Sequence, residues 1–343
     1  MNVLHLWEAW PIIEGPWHLS PFLGGKNNRV WRAEAADGRC YVLRLIPDLR
    51  QIPRIRYEVA LLEALSHQQP PFLLPLPLRA HNGDIIVPFE QETGTLAYAT
   101  LSPLLPGYLP DRNDSAIASG AGFALAWLDR ALTALPEMQL PEGIQSLPTF
   151  GALAHWHPLV PDPLAAMEQL PVDRDRAQQL RHFLAVVMEK VDDLYRRLPQ
   201  QLLHRDYDPS NILVDDQQVT AVLDFEFAGI DLRVLDVCVA LSWWPVNLLG
   251  TGREWELIDT FGTSYVTHFP LSEQELYAFP DVWRLRDAAS LVYRMGRYLA
   301  GLETDSRMQD RVQHSLWREA WLSVHQETLV RHALSWERVN GHT

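Results

Sequence analysis

The strongest constraint on this 343-residue chain is a polar loop that leads directly into a short hairpin. The loop reads His-Arg-Asp-Tyr-Asp-Pro-Ser-Asn over residues 204–211, and the apolar residues 212–214 follow it. A turn of aspartates and glutamines at residues 215–218 precedes a second apolar run, which ends at Asp224. Two extended runs joined by a tight turn are typical of a β-hairpin. We therefore expect the chain to return Asp224 to the neighbourhood of Asn211.

Three side chains of this stretch, those of Asp206, Asn211 and Asp224, are of the types that phosphoryl transfer requires. The reaction needs a carboxylate beside the attacking hydroxyl group and oxygen ligands that hold Mg²⁺ against the nucleotide phosphates. A loop that carries Asp206 and Asn211 can present both to one phosphate chain, and the hairpin adds Asp224. Ordinary loop carboxylates beside a hairpin are the alternative interpretation. The combined order and spacing of the His-Arg-Asp, Asn and Asp-Phe elements favour the catalytic one.

With these residues, the sequence resembles the superfamily of aminoglycoside phosphotransferases, choline kinases and type II homoserine kinases. That family usually reads His-Gly-Asp in the loop, whereas Arg205 gives this chain the form that protein kinases have. Residues 209–211 and 223–226 fit the small-molecule kinases better, because protein kinases carry Gly at the position of Glu226. Residues 229–237 match the family's signature of a Gly followed, after an interval, by an Asp and an apolar residue. The resemblance covers most of the chain.

The resemblance implies an α+β class, a bilobal protein-kinase-like fold with a small β-rich N-terminal lobe and a larger, mainly helical C-terminal lobe. We expect the nucleotide-binding lobe over residues 1–101, a hinge over residues 102–107, and the helical catalytic and substrate lobe over residues 108–343. Alternating residues around an Asp-Gly pair predict a strand pair in the first lobe. In the helical lobe, Asp173 is expected to N-cap one helix, and Ser272 to open another with a capping box.

The resemblance also implies roles for polar residues of the catalytic stretch. Asp206 is expected to accept or orient the proton of the acceptor hydroxyl, and Asn211 and Asp224 are expected to ligate Mg²⁺. His204 and Asp236 are expected to brace the catalytic loop. The cofactors implied are ATP and Mg²⁺. The residue between His204 and Asp206 receives no role, because the family's Gly offers no side chain for comparison.

Further nucleotide contacts are expected in the small lobe. Gly24, Gly25 and Asn28 belong to a turn that would cover the nucleotide phosphates in a kinase-like lobe, with glycines allowing close backbone approach. A plain hairpin loop is the alternative for this turn. Leu101 and Leu104 lie at the hinge, where the family offers backbone groups to adenine, and an ordinary linker is the alternative there.

The main departure from the family is Arg44, at the strand position where a Lys normally pairs with the nucleotide phosphates and with a helix Glu. A guanidinium can bind phosphate in a bidentate manner, although it is not a simple copy of an ammonium group. Glu58, on an amphipathic helix over residues 56–65, is the expected partner. Glu63 is the competitor, but it lies on a different face of that helix. A solvated Arg on a strand edge and a solvated Glu are the alternatives.

The composition narrows the classes of partner. The 43 acidic residues outnumber the 29 basic ones, and the formal net charge of −14 argues against a nucleic-acid partner. ATP remains compatible, because local donors and Mg²⁺ can outweigh the overall charge. Cys40 and Cys238 form no zinc or redox spacing, and we expect small buried thiols in a reducing compartment. Residues 1–17 lack a signal-peptide pattern, and no apolar run approaches the roughly 20 residues of a membrane span. We expect a cytoplasmic protein without a membrane partner.

Taken together, the residues predict an ATP- and Mg²⁺-dependent phosphotransferase with an alcohol group of a small metabolite as acceptor. Homoserine-like, choline-like and aminoglycoside-like acceptors are the options, with a lean to the first. An aromatic box for a quaternary ammonium could come from Trp243, Trp244, Trp255 and Trp283, but tryptophans at helical spacing belong more often to a core. The rivals are a nucleotide-binding pseudokinase or scaffold, which only Arg44 favours, and a protein Ser/Thr kinase of the same superfamily. The oligomeric state stays open.

Overall fold

The computed structural model describes residues 3–11, 17–22, 30–46, 48–91, 94–135 and 147–337. The predicted turn with Gly24, Gly25 and Asn28 therefore lies outside the described residues. The described chain divides into two compact units. Unit 1 takes in the residues up to Tyr108, with Leu135 and Thr220–Glu226, and unit 2 takes in the rest. The segment Thr220–Glu226 brings Asp224 into unit 1.

Unit 1 contains a five-stranded antiparallel sheet, whose strands in chain order are β1 (His18–Pro21), β2 (Val30–Glu34), β3 (Cys40–Ile46), β4 (Val87–Glu90) and β5 (Leu96–Pro103). The order across the sheet is β1-β2-β3-β5-β4, so β3 is the central strand. The predicted turn joins β2 to β3, and its Gly38 has a φ of 84°, a value that favours glycine. Arg44 pairs with Val30 on one side and Thr100 on the other. The strand-edge alternative for Arg44 is therefore wrong.

The apolar core of unit 1 joins this sheet to the 3₁₀ helix Val3–Ala9. Leu6 and Trp10 pack into one cluster with Leu43 and Leu101, and each of the four is at most 1% exposed. Burying each such side chain stabilises the fold by roughly 1.5–3 kcal/mol relative to leaving it exposed. This core holds the whole sheet rigidly, with β3 as its central strand.

The helix α1 (Ile52–Ser66) follows β3 and belongs to the same unit. Pro53 stands in its first turn, where the missing backbone N–H costs no helical hydrogen bond. Leu61 and Leu65 are buried at helical spacing, as the sequence pattern predicts. Glu58 is only 8% exposed, which shows that this carboxylate is not a solvated helix charge.

Unit 2 is mainly helical. Its helices are α2 (Ser115–Ala134), α3 (Pro163–Ala166), α4 (Arg174–Arg197), α5 (Leu235–Leu241), α6 (Glu254–His268), α7 (Glu273–Leu299) and α8 (Asp305–Trp336). Two short two-stranded sheets join β6 (Gln200–Leu203) to β9 (Gly229–Leu232) and β7 (Ile212–Asp215) to β8 (Gln218–Val222). The turn of the second pair has positive φ at Asp216 and Gln217, as two-residue hairpin turns require. The predicted hairpin after the catalytic loop is therefore formed.

The two helix starts that the sequence predicts are present. The Asp173 side chain accepts a hydrogen bond from the Arg176 N–H at the start of α4. At the start of α7, Ser272 and Glu275 form a reciprocal capping box. Caps of this kind satisfy backbone donors that have no partner inside the helix, at a gain of about 1 kcal/mol.

Close packing between α2 and α6 depends on a glycine. A Cβ atom added at Gly122 would lie 2.4 Å from the Phe261 carbonyl oxygen, so only glycine allows this approach of the two backbones. Within the described residues, no helix combines the length and the apolar character that crossing a membrane requires. The helices of unit 2 instead bury large apolar side chains among themselves, among them Trp244 and Trp283, which are fully buried.

Candidate active site

The catalytic loop of unit 2 is held in place by hydrogen bonds from its own backbone N–H groups. Asp236, in the first turn of α5, accepts hydrogen bonds from the N–H groups of His204 at 2.8 Å and Arg205 at 2.7 Å. Asp236 is fully buried, so these two bonds form where water does not compete. The arrangement is the one expected if Asp236 braces the loop, and it fixes the backbone immediately before Asp206.

Inside the loop, Asn211 is bonded to Asp206. Its side-chain amide donates to the Asp206 carbonyl oxygen at 2.8 Å and to the carboxylate Oδ2 at 2.9 Å. The His204 Nδ1 accepts from the Asp206 N–H at 3.2 Å. Since the amide nitrogen of Asn211 is turned toward Asp206, its amide oxygen is the atom that can serve as a metal ligand.

Arg205 has a structural role that the sequence did not show. Its φ is 67°, in the left-handed region that costs a non-glycine residue about 1–2 kcal/mol, and this explains why the family prefers Gly at this position. The side chain is 2% exposed and donates to the Pro148 carbonyl oxygen at 2.6 Å. Its guanidinium lies over the rings of Phe150 at 4.8 Å and Trp156 at 5.2 Å. These contacts offset the backbone strain and tie the loop to residues 148–156.

The buried counterion of Arg205 is Asp231, on β9. The Arg205 Nε lies 3.4 Å from the Asp231 Oδ2, and the same carboxylate accepts from the Phe150 N–H at 2.8 Å and from the Tyr195 hydroxyl. Burial raises the pKa of Asp231, while the charge of Arg205 opposes that shift. Gly229 is required beside this pair, because a Cβ atom there would lie 2.7 Å from the Arg205 Nη1. Gly229, the first residue of the family signature, thus leaves space for the Arg205 side chain.

A second buried carboxyl group, Asp129 of α2, meets Asp236. Burial raises the pKa of Asp129 well above its ordinary value and raises the pKa of Asp236 to about 6, and a hydrogen bond joins the two side chains. The Tyr265 hydroxyl donates to the Asp129 Oδ2 at 2.7 Å. Two buried carboxyl groups in contact are most stable with one proton between them. We therefore assign the proton to Asp129. Its O–H group donates a hydrogen bond to the carboxylate of Asp236, which braces the loop. No sequence motif pointed to Asp129.

Unit 1 contributes a cluster of charged side chains around Arg44. The Arg44 Nη1 lies 3.3 Å from the Glu58 Oε2, so the predicted pair is formed, and the Nη2 lies 3.0 Å from the Glu226 Oε2. The carboxylates of Glu58, Glu226 and Asp224 all raise the pKa of Arg44, against the effect of its burial. Glu226 was part of a sequence motif but was not expected as a partner of Arg44.

The backbone at Asp224 and Glu226 is also specified within unit 1. Asp224 has a φ of 60°, in a left-handed conformation that Asp tolerates better than most residues. The Glu226 carbonyl oxygen accepts from both the Arg54 Nε, at 2.9 Å, and its Nη2, at 2.7 Å. Arg54 thereby anchors the segment that follows Asp224 to α1.

The proposed metal ligands have suitable chemistry for Mg²⁺. Carboxylate and amide oxygens are hard donors, and Mg²⁺ typically uses one or two protein ligands together with waters and substrate phosphates. Among the described residues, no group of three or more His, Cys, Asp or Glu side chains is placed to hold a metal ion. Asp224 belongs to unit 1 and Asn211 to unit 2, and their action on one metal ion stays a prediction.

The hinge residues of the prediction have backbone bonds within unit 1. Leu101 is fully buried on β5, and its carbonyl oxygen accepts from the Leu78 N–H at 2.7 Å. Leu104 is half-buried, and its N–H donates to the Cys40 carbonyl oxygen at 3.0 Å. Their contact with adenine stays a prediction, and these two backbone groups already have hydrogen-bond partners within unit 1, Leu78 and Cys40.

Comparison with known proteins agrees with this geometry. A model described as the phosphotransferase enzyme family matches residues 18–262. The chain is 26% identical over 239 residues to the homoserine kinase of Polaromonas naphthalenivorans, which covers 67% of this chain and 71% of that protein. It is also 26% identical over 264 residues to the homoserine kinase of Phenylobacterium zucineum, with coverages of 75% and 72%.

Solved structures show the same fold at low sequence identity. A microcompartment-associated aminopropanol kinase superposes with a TM-score of 0.70 at 16% identity, over 95% of this chain and 96% of that one. An amicoumacin kinase in complex with AMP-PNP, Ca²⁺ and Ami has a TM-score of 0.63 at 14% identity, over 88% of each chain. The predicted α+β kinase-like fold is confirmed, with its β-rich N-terminal part and its mainly helical C-terminal part.

Proposed function

The chain belongs to the phosphotransferase enzyme family, and from this premise we propose that it transfers the γ-phosphoryl group of ATP to the hydroxyl group of a small, homoserine-like amino alcohol. The class of reaction, phosphoryl transfer to an alcohol group of a small molecule, follows from the family and its relatives. The observation that carries the proposal is the braced loop, in which Asp236 fixes the backbone before Asp206 and Asn211 bonds its carboxylate.

In the proposed reaction, Asp206 acts on the acceptor. Its carboxylate accepts the proton of the acceptor hydroxyl while the hydroxyl oxygen forms a bond to the γ-phosphorus, and the bond from that phosphorus to the bridging oxygen breaks to release ADP. The Asn211 amide holds both the backbone carbonyl oxygen and the carboxylate Oδ2 of Asp206, which fixes the carboxylate and supports proton transfer along a fixed direction. Little covalent chemistry falls to the protein in such a reaction, and positioning supplies most of the acceleration.

Asn211 and Asp224 would hold Mg²⁺ when nucleotide binds. The ion neutralises charge on the phosphate oxygens during transfer. The solved amicoumacin kinase, which holds AMP-PNP and Ca²⁺, supports a nucleotide with a divalent cation in this fold. The proposal is also consistent with the charges of unit 1, where Arg44 is accompanied by the carboxylates of Glu58 and Glu226.

Arg44 is proposed to contact the nucleotide phosphates in place of the usual Lys. A guanidinium has five N–H donors in a planar fork. Glu58 accepts one hydrogen bond from the Nη1 of Arg44, and Glu226 accepts one from its Nη2. Because the carboxylates around Arg44 outnumber it, the cluster by itself does not attract an anion. We infer that phosphate binding at Arg44 requires the divalent cation as well, so nucleotide affinity should depend strongly on Mg²⁺.

The test is a phosphorylation screen with labelled ATP and a panel of alcohols: L-homoserine, choline, aminopropanol and an aminoglycoside. We expect Mg²⁺-dependent transfer to L-homoserine, lost when the metal is removed with a chelator. In parallel, calorimetric titration of Mg·ATP into Asp224→Ala should show loss of Mg²⁺-dependent binding, because one of two protein ligands is missing. Absence of transfer to every alcohol would contradict the proposal, and preference for another panel member would replace the acceptor.

A further inference from the structure

A small polar cleft lies in unit 2 just beyond the C-terminal end of α5. It is lined by residues of α7 and α8 and by Trp243, which follows the end of α5, and its cavity volume is about 30 Å³. Since one buried water needs roughly 10–15 Å³ measured in this way, the cleft has room for one small polar group rather than a whole sugar. Its size is that of a carboxylate group.

The cleft has an excess of positive charge in a chain that is acidic overall. Three arginines line it, Arg294, Arg311 and Arg318, and the Arg286 guanidinium lies 5.0 Å from the ring centre of Trp243. Among the residues that the structure describes, two carboxylates form ion pairs with these arginines. Asp287 lies 3.0 Å from both the Arg286 Nη1 and the Arg318 Nε, and Glu303 lies 2.8 Å from the Arg294 Nη1.

Arg311 has no such carboxylate partner. Within the part of the chain that the structure describes, no ion pair within 4.0 Å and no hydrogen bond involves this side chain. Burial and the nearby charge of Arg294 lower the pKa of Arg311, and the more distant carboxylate of Glu303 opposes that shift without forming an ion pair. An arginine stays protonated under such conditions, and a half-buried guanidinium of this kind is stabilised by any anion that enters the cleft.

One buried donor beside the same cleft has no acceptor. The Trp243 Nε1 is buried without a hydrogen-bond partner among the described residues, whereas the Arg318 Nε already lies 3.0 Å from the Asp287 carboxylate. Arg318 is only 7% exposed and lines the cleft. Leaving a buried donor unpaired costs roughly 1–3 kcal/mol. An oxygen anion in the cleft would bring an acceptor to the side where Trp243 and Arg311 lack one.

The surroundings of Trp243 argue against a cationic ligand. The guanidinium groups of Arg286, Arg318 and Arg112 lie 5.0, 5.5 and 5.9 Å from its ring centre. An aromatic ring that already faces three cations is a poor site for a quaternary ammonium, because like charges repel at these distances. This argues against a choline-like role for Trp243, which the sequence had left open.

We propose that the cleft formed by Trp243, Arg311 and Arg318 binds the carboxylate of the acceptor substrate. This inference rests on the proposed function and adds that the acceptor is a hydroxy acid or hydroxy amino acid. The helix α5 connects the two places, because Asp236 in its first turn braces the catalytic loop and Trp243 lies just beyond its end. The seven residues of α5 span about 10 Å, so the residue that braces the catalytic loop and the tryptophan of the cleft lie about one short helix apart.

The test compares L-homoserine with its carboxamide, which keeps the hydroxyl group and lacks the negative charge. Arg311→Gln should raise the KM for L-homoserine about tenfold or more, the worth of one charge-assisted hydrogen bond, with kcat within about twofold. The KM for the carboxamide should not change. Arg307→Gln is the matched control, because Arg307 is exposed one turn away on α8 and does not line the cleft. Arg311→Lys should recover part of the lost affinity.

Equal use of acid and carboxamide by the parent protein would overturn the proposal, as would equal shifts in Arg311→Gln and Arg307→Gln. The proposed function can fail separately, if no alcohol is phosphorylated. In that case, calorimetric titration with L-homoserine in the absence of nucleotide tests whether the cleft binds a carboxylate. Binding to the parent that is lost in Arg311→Gln and absent for the carboxamide would support the cleft. No binding to the parent, or equal binding of acid and carboxamide, would contradict it.

Discussion

The two units of this protein hold their buried carboxylates in different ways. In unit 1, Glu58 and Glu226 are held by the side chain of Arg44, through one ion pair each. In unit 2, Asp236 has backbone N–H donors from the catalytic loop and a protonated neighbour, Asp129. The first arrangement relies on a flexible charged side chain, and the second on backbone and a shared proton.

This difference suits different tasks. A guanidinium can move between carboxylates and a phosphate, because its donors are arranged in a fork on a long side chain. Backbone donors cannot be redirected without moving the chain, so Asp236 positions the loop within narrow limits. We therefore expect changes near Arg44 to act mainly on nucleotide affinity, and changes in the catalytic loop to act mainly on turnover. The following predictions, from the largest effect to the smallest, test that division.

Asp206→Asn should lower kcat by about 10²–10⁴, the usual contribution of a positioned general base, while the affinity for Mg·ATP stays nearly unchanged. Steady-state kinetics with the acceptor found in the screen, together with nucleotide titration, measures both quantities. Asp216→Asn is the control, because Asp216 is exposed in the hairpin turn and Asn tolerates its positive φ. Turnover at the parent rate in Asp206→Asn would remove this residue from the reaction.

Arg44→Ala should weaken ATP binding or slow transfer by about tenfold or more, because the phosphates lose a charge-assisted donor and the buried Glu58 and half-buried Glu226 lose their partner. Arg44→Lys should keep part of the activity, since the charge remains while the planar fork is lost. Nucleotide affinity and transfer rate should be measured for both variants. Arg50→Ala, at an exposed position of the same unit, serves as the control. Full activity in Arg44→Ala would show that unit 1 binds the phosphates elsewhere.

Asp129→Asn should change how stability depends on pH, with a small effect on activity. The ordinary pKa of an Asp is 3.8. The folded state raises the pKa of Asp236 to about 6 and raises the pKa of Asp129 well above its ordinary value. A group with a raised pKa contributes stability below its ordinary pKa and loses it as pH rises through the folded value. The parent should therefore lose stability above about pH 4, through and beyond pH 6, because of this pair.

The Asn variant mimics the protonated form of Asp129 and can still donate to Asp236. Its stability should match that of the parent near pH 4 and should exceed it by on the order of 1 kcal/mol at neutral pH, about one pKa unit's worth. Urea unfolding of both proteins from pH 4 to pH 8 measures the difference. Asp192→Asn, on the exposed face of α4, controls for surface charge. Parallel curves for the parent and Asp129→Asn would show that the two carboxyl groups share no proton.

Much of the local structure could be predicted from the sequence because its signals act over a few residues. The caps at Asp173 and Ser272 and the turn at Gly38 depend on short-range hydrogen bonds and backbone preferences. The motifs over residues 204–211, 223–226 and 229–237 were sufficient to predict the kinase-like family and fold, which the comparisons confirm. The catalytic and metal-binding roles of these residues stay predictions.

The sequence by itself therefore determined the class of fold, the family, and the Arg44–Glu58 pair, which is set by one strand and the helix after it. Only the tertiary structure decided that Glu226 also binds Arg44, that Asp231 neutralises Arg205, and that the buried Asp129 carboxyl group meets Asp236. Those partners come from distant segments and follow no spacing rule. A buried charge selects whichever oppositely charged group or proton the packing brings to it, because desolvation makes every unpaired alternative costly.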